Sequence, residues 1–287
     1  MGKLQQIIIT TCMFILIASP ALAAGEECRT VNMQIKKERN LLKKQKLINQ
    51  AMTLCPEDAE INYSCAYAAE RLRKYSKAQN HYLKATELDS NYAKAYFGLG
   101  DIYMVLGNAR SAIGAYEKGL ALIPQNKRAR SSLELARIKY KSESGEQITA
   151  AEFIQVMQES KAEETTQGAV DGPLLRMQIH FYSDSSELSA EAMDQLTNVG
   201  KALENRALTG KTFEISGHTD DTGPPDSNLI LSKHRAEQVR KYLLETFAIH
   251  PDALIVAYYG DTRPAAPNNS TESRAMNRRV EFKRLKQ

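Results

Sequence analysis

Tryptophan is missing from these 287 residues, and cysteine (four), proline (nine) and aromatic residues (7%) are sparse. The cysteines, Cys12, Cys28, Cys55 and Cys65, fit neither the spacing of a zinc site nor a redox Cys-x-x-C, so no metal centre or thiol chemistry is indicated. Charge of one sign is also lacking. The formal net charge is +4 and scattered, whereas duplex binding needs Lys and Arg gathered on one face, so nucleic acid is set aside as a partner. No apolar run reaches the roughly 20 residues that span a bilayer. Nor is there the series of alternating strands, each of about ten residues, from which a membrane barrel is built. His218 has neither a Ser or Cys nucleophile nor a second His at a telling distance. The chain therefore reads as non-enzymatic, without cofactor or metal.

What is present suggests two domains, since the length exceeds that of one ordinary core. Charged residues at 25% and hydrophobic ones at 43% are ordinary for globular protein. The first residues look like an export signal: Lys3, an apolar stretch over 7–17, then Ala21-Leu22-Ala23 as the small-residue cleavage pattern. Residues 1–24 are read as a signal peptide cut after Ala23 or Ala24. A membrane anchor is the alternative, but the apolar stretch is too short. Gly25, Glu26 and Glu27 precede Cys28, which argues against a lipidated cysteine at the cut. Export leaves Cys28, Cys55 and Cys65 where disulfides persist, and three cannot all pair.

Residues 59–92 and 93–126 align without a gap at a period of about 34. The second copy carries Tyr96, Leu99, Gly100 and Tyr103, then Ala112, Tyr116, Gly119 and Pro124; the first carries Cys65, Ala66, Ala69, Ala78, Tyr82 and Ala85 in register. Region 25–141 thus resembles the tetratricopeptide repeat family. The resemblance implies an all-α superhelical scaffold whose concave face holds a partner peptide, here from an unidentified envelope protein. Inward positions hold Tyr63, Tyr67, Phe97 and Met104, a stripe that serves either a peptide or packing between helices. One further period back places Cys28 near the start of a first helix and Cys55 near the end of its partner. Antiparallel helices bring such ends together, which suggests a Cys28–Cys55 disulfide with Cys65 a buried free thiol. Two independent thiols are the alternative. Residues 127–141 set Leu133 and Ile138 among charges, as expected of a terminal helix with a wet outer face.

Residues 142–172 read as a linker broken by one short helix. Thr149-Ala150-Ala151-Glu152 is a capping-box pattern, and Phe153, Val156 and Met157 make an apolar face. A hinge is expected near Asp171-Gly172-Pro173, leaving the halves to move independently.

In region 173–287, Met177, Ile179 and Phe181 alternate as in a half-buried strand, and further strands are expected over 213–216, 254–259 and 280–285. Helices are expected over 189–205, with Ala192, Leu196, Val199 and Leu203 on one face, and over 228–247. This order describes helices packed on a sheet. Ile215-Ser216-Gly217-His218-Thr219-Asp220-Asp221-Thr222-Gly223 is followed by Asn228, Leu231-Ser232, Arg235-Ala236, Tyr259-Gly260 and Asn277-Arg278-Arg279-Val280-Glu281. Together these closely resemble the OmpA-like peptidoglycan-binding domain over about residues 173–285. The implied fold is an α+β sandwich of helices on a mixed sheet. The implied ligand is the diaminopimelate of the peptidoglycan stem peptide, whose side chain ends in an ammonium and a carboxylate on one carbon.

By motif position Asp220 takes the ammonium and Arg235 the carboxylate, with Asn228 and Arg278 as further contacts. The helix start near Asn228 adds unpaired N–H groups that favour a carboxylate. Each residue has a plainer reading: Asp220 and Arg235 as an internal salt bridge, Asn228 as a helix cap, His218 as turn packing. Tyr182 stands where some family members place an acid, and Asp184 is the candidate substitute. The resulting expectation is a periplasmic tether that grips the cell wall and reaches the outer membrane through a partner on its repeats. The alternative is an envelope assembly or oligomerisation protein without wall binding.

Overall fold

The computed structural model describes residues 20–158, 163–165, 168–170, 172–182 and 185–285. Residues 1–19 of the expected signal peptide lie outside that set, as do Asp171 of the expected hinge and Asp184.

The repeat half comprises α1 (Pro20–Lys37), α2 (Leu41–Leu54), α3 (Ala59–Arg71), α4 (Tyr75–Leu88), α5 (Ala93–Val105), α6 (Ala109–Leu122) and α7 (Lys127–Glu143). Asn40, Asp58, Asn108 and Asn126 cap α2, α3, α6 and α7, each side chain accepting a first-turn backbone N–H. Close approach of the paired helices depends on glycine. A Cβ on Gly100 would lie 2.6 Å from the Tyr116 ring, so that ring fills the space a larger residue would need. Packing between helices accounts for part of the inward stripe. Tyr63 packs at a tilt against Tyr82 and Tyr92, and Phe97 and Met104 pack against the cluster of Ala112, Tyr116 and Ala136, while Tyr63, Tyr67 and Phe97 also line an open groove.

Cys28 and Cys55 are bonded, with Cα atoms 5.9 Å apart, and Cys65 is a buried free thiol. Burial pushes the Cys65 thiol up to about 11, which suppresses its thiolate. Cys28→Ser or Cys55→Ser is expected to lower the unfolding free energy of the repeat half by about 2–4 kcal/mol, since the bridge closes a loop in the unfolded chain. Denaturant melts with and without reductant measure this. Equal midpoints would show that the bridge contributes nothing.

The second half carries a four-stranded sheet of order β3-β6-β4-β5. Its strands are β3 (Leu174–Met177), β4 (Phe213–His218), β5 (Leu254–Gly260) and β6 (Val280–Arg284). β6 lies antiparallel to both β3 and β4, and β4 lies parallel to β5. Two short segments, β1 (Glu163–Thr165) and β2 (Gly168–Val170), pair separately. Helices α9 (Ala190–Leu203) and α10 (Pro225–Thr246) accompany the sheet, and α11 (Thr271–Asn277) precedes β6. The first strand ends earlier than its alternation predicts. After Met177 the Gln178 amide donates to the Glu143 carbonyl, and the chain leaves the ladder until Phe181 bridges Leu188.

The expectation of a free hinge is corrected. Helix α8 (Ala150–Met157), closed by the Thr149/Glu152 capping box, buries Phe153, Val156 and Met157 in the same core as Leu196, Val239 and Phe282. Ile138 of α7 joins that core. Apolar faces on both helices would otherwise meet solvent, and the sheet supplies the surface that covers them.

Candidate ligand-binding site

The site begins where β4 runs into α10. Gly217 allows the helix to lie close over the strand, because a Cβ there would collide with the Ser232 carbonyl. Buried Ser232 accepts the Gly260 N–H at 3.0 Å and donates to the Leu229 carbonyl at 2.8 Å. The His218 N–H donates to the Arg279 carbonyl at 3.0 Å and the Thr219 N–H to the Gly260 carbonyl at 2.9 Å. These bonds leave the next residue, Asp220, at a fixed place.

Asp220 is held on three sides, with its side chain 9% exposed. Oδ1 accepts the Thr222 N–H at 3.0 Å, Oδ2 accepts Arg278 Nη1 at 2.5 Å, and its carbonyl accepts Asn228 Nδ2 at 3.3 Å. Burial opposes ionisation, but the bonds from Arg278 and Thr222 outweigh it and hold the carboxyl below its ordinary value. Asp220 is therefore a fixed anion at neutral pH. Its ion partner is Arg278, not Arg235, so the internal salt bridge considered from sequence forms with a different arginine.

Asn228 is not a helix cap. Proline at the first helical position starts α10 at Pro225, and the Asn228 N–H already bonds the Pro224 carbonyl at 3.0 Å. Its side chain is free to brace the Asp220 turn instead.

Arg235 stands on α10, its guanidinium 4.9 Å over the Phe181 ring and its Nε donating to the Ser185 carbonyl at 3.3 Å. Arg235, Arg278 and Arg279 line one pocket together with Phe181, Gln178 and His218. Three guanidinium groups around one hollow favour an anion such as a carboxylate. Arg278 belongs both to this pocket and to the Asp220 group, and thus joins a cationic hollow to a fixed anion.

Arg279 and Gln178 are pocket residues that motif reading leaves out, although Arg279 stands inside a quoted motif. Arg279 is fixed by Glu281 through Nε at 2.8 Å and Nη2 at 2.7 Å, and by the Arg263 carbonyl at 3.0 Å. Burial disfavours the Glu281 carboxylate, yet the Arg279 and Arg176 guanidinium groups hold it well below the ordinary range.

His218 is a buried side chain at the wall of the pocket. It lies 5.4 Å from the Tyr259 ring, with Nε2 3.5 Å from Glu281, at the edge of hydrogen-bond range. Burial lowers its pKa from 6.5, and Arg279 and Arg176 add to this against the opposing pull of Glu281. The imidazole is neutral in the fold and charged in the unfolded chain at mild acidity. Folding stability linked to it is present above about 6.5 and is lost as the pH falls from there through the depressed folded value. In urea melts between pH 7 and pH 5, His218→Gln is expected to show a shallower loss than wild type. Parallel slopes would contradict this.

This architecture is that of a helical repeat scaffold joined to an α+β domain with a charged ligand pocket. Residues 180–278 match the OmpA family, 73–107 match a TPR repeat and 93–126 a tetratricopeptide repeat. The peptidoglycan-associated lipoprotein of Pseudomonas aeruginosa is 39% identical over 124 residues, which are 41% of this chain and 71% of that protein. Outer membrane porin F of the same organism is 32% identical over 107 residues, 37% of this chain and 30% of the porin. Among solved structures, the cell wall anchor of the T6SS from Pseudomonas aeruginosa is 26% identical with a TM-score of 0.35, covering 40% of this chain and 81% of that one. The chain belongs to the OmpA family and carries tetratricopeptide repeats ahead of the family domain. No helix among the described residues is long and apolar enough to cross a membrane.

Proposed function

We propose that the C-terminal domain binds peptidoglycan without making or breaking a bond, through the diaminopimelate of the stem peptide, while the repeats recruit a second envelope protein. The observation that carries this is the junction at Arg278 of a fixed carboxylate with a pocket of three arginines. A ligand carbon bearing both an ammonium and a carboxylate matches that junction end for end. Asp220 uses one acceptor position for Thr222 and one for Arg278, and a carboxylate has about four, so the ammonium is accepted without losing either bond. Arg235 meets the carboxylate with a planar fork already oriented on Phe181.

The peptidoglycan-associated lipoprotein supports this reading by its name and its identity over this domain. The same reading places the chain in the periplasm, on the cell wall and close to the outer membrane through its repeat partner. The groove lined by Tyr67 and Phe97 is the surface on which the repeats would hold that partner. The test is co-sedimentation of the chain from residue 25 onward with insoluble diaminopimelate-type peptidoglycan, with free meso-diaminopimelate as competitor. Retention that the competitor releases supports the reading. A chain that stays in the supernatant sinks it and leaves envelope assembly without wall binding.

A further inference from the structure

The pocket is not built by the family domain alone. Behind Arg279 runs a file of alternating charges that ends on the last repeat helix: Arg279 bonds Glu281, Glu281 lies 3.3 Å from Arg176, and Arg176 lies 3.4 Å from Glu143 at the end of α7. Each of these side chains is at most 13% exposed. Ser142, wholly buried, donates to the Arg176 carbonyl at 2.8 Å. The Glu143 carbonyl accepts the side-chain amide of Gln178 at 2.5 Å, and Gln178 lines the pocket. A second repeat element closes on the same arginine. Gly107, in the turn between α5 and α6 with φ +71°, leaves so little room that a Cβ would lie 2.9 Å from Arg176 Nη1.

From this we propose that Glu143 is a positioning residue for the pocket and that docking of the repeat array is coupled to ligand occupancy. The inference rests on the wall-binding reading and adds that the repeats help to shape the site. Two pocket residues, Gln178 and Arg279, take their positions from α7, one directly and one through Glu281 and Arg176. A ligand that demands the fixed geometry of those side chains binds best when α7 is seated. By linkage, its binding must then hold α7 seated more firmly.

The alternative to positioning is a purely electrostatic effect, and the two have opposite signs. Burial raises the Glu143 carboxyl above its ordinary value, so the titration is run well to the alkaline side; there Glu143→Gln removes a negative charge near an anion pocket and by charge alone would tighten binding, whereas by loss of position it weakens it. Ser142→Phe keeps every charge and wedges α7 off β3. Both variants and wild type, as the full chain from residue 25, would be titrated with the soluble meso-diaminopimelate stem tripeptide. Amide exchange over residues 138–145 would be followed with and without it.

The expected result is affinity about tenfold weaker in both variants, with ligand slowing exchange over 138–145 in wild type and not in Glu143→Gln. That exchange signal would be unmoved by a merely structural role. Wild-type binding with Glu143→Gln equal or tighter, and no ligand effect on α7 exchange, would overturn the coupling and leave wall binding standing. If Ser142→Phe does not fold, Glu143→Gln and the wild-type exchange decide alone. Absence of wild-type binding would sink wall binding itself and this inference with it.

Discussion

Arg235→Ala is expected to weaken binding of a diaminopimelate stem peptide at least roughly 30-fold, the lower end of the about 2–5 kcal/mol lost when one partner of a hydrogen-bonded charge pair is removed at an interface. The lower end applies because Arg235 is only partly buried and water screens it. Its contribution is more than charge, since the guanidinium is pre-set on Phe181 and anchored to the Ser185 carbonyl. Arg235→Lys keeps the charge but loses the planar fork and much of the stacking, so its affinity should fall between wild type and alanine. Asp220→Ala should also weaken binding, by a different route. It removes the acceptor for the ligand ammonium and releases Arg278 from its bond. Calorimetric titration beside a denaturant melt separates the two effects. Wild-type affinity in folded Arg235→Ala would mean that the arginine pocket does not meet the ligand carboxylate.

Phe153→Ala should destabilise the C-terminal half by about 3–5 kcal/mol, the range for removing a buried aromatic ring. Phe153 is 0% exposed and meets the Phe282 ring edge-on at 5.6 Å. It lies well before residue 180, where the OmpA match begins, so an account confined to the matched region predicts almost no effect. Urea unfolding of the full chain gives the answer. A loss under about 1 kcal/mol would show α8 to be an appendage rather than part of the core. For the same reason a fragment starting at residue 173 should be less stable than one that retains α8.

The site was legible in the sequence where chemistry is local. Gly217 to Asp220 is the end of β4 and its exit, where close packing under α10 dictates the glycine, and its four-residue pattern survives as a string of letters. The repeats are legible for a similar reason, since their small and aromatic residues recur at a fixed period and meet as Gly100 meets Tyr116. Asp220's partner is harder to read. Arg278 is 58 residues away, and nothing in either neighbourhood distinguishes it from Arg235 as the closer cation.

Other features are hidden by how they are made. The short helix α11 has no apolar period, and only Ser270, whose side chain accepts the Ser273 N–H, marks its start. The seating of α7 and α8 on the sheet is also invisible in a single string. Ile138 and Phe153 look like the apolar faces of two separate helices, and only the fold shows one surface covering both. Polar composition over 142–172 suggested freedom, while a few buried residues within it decide otherwise.

The central claim is recognition of one carbon that carries both charges. The most direct measurement compares two stem peptides that differ only at the third residue, meso-diaminopimelate against lysine, titrated into the same chain. Lysine keeps the ammonium for Asp220 and lacks the carboxylate for Arg235. The account predicts binding of the diaminopimelate peptide and a loss with lysine as large as that of Arg235→Ala, with no further loss when the two changes are combined. Equal affinity for both peptides would contradict it.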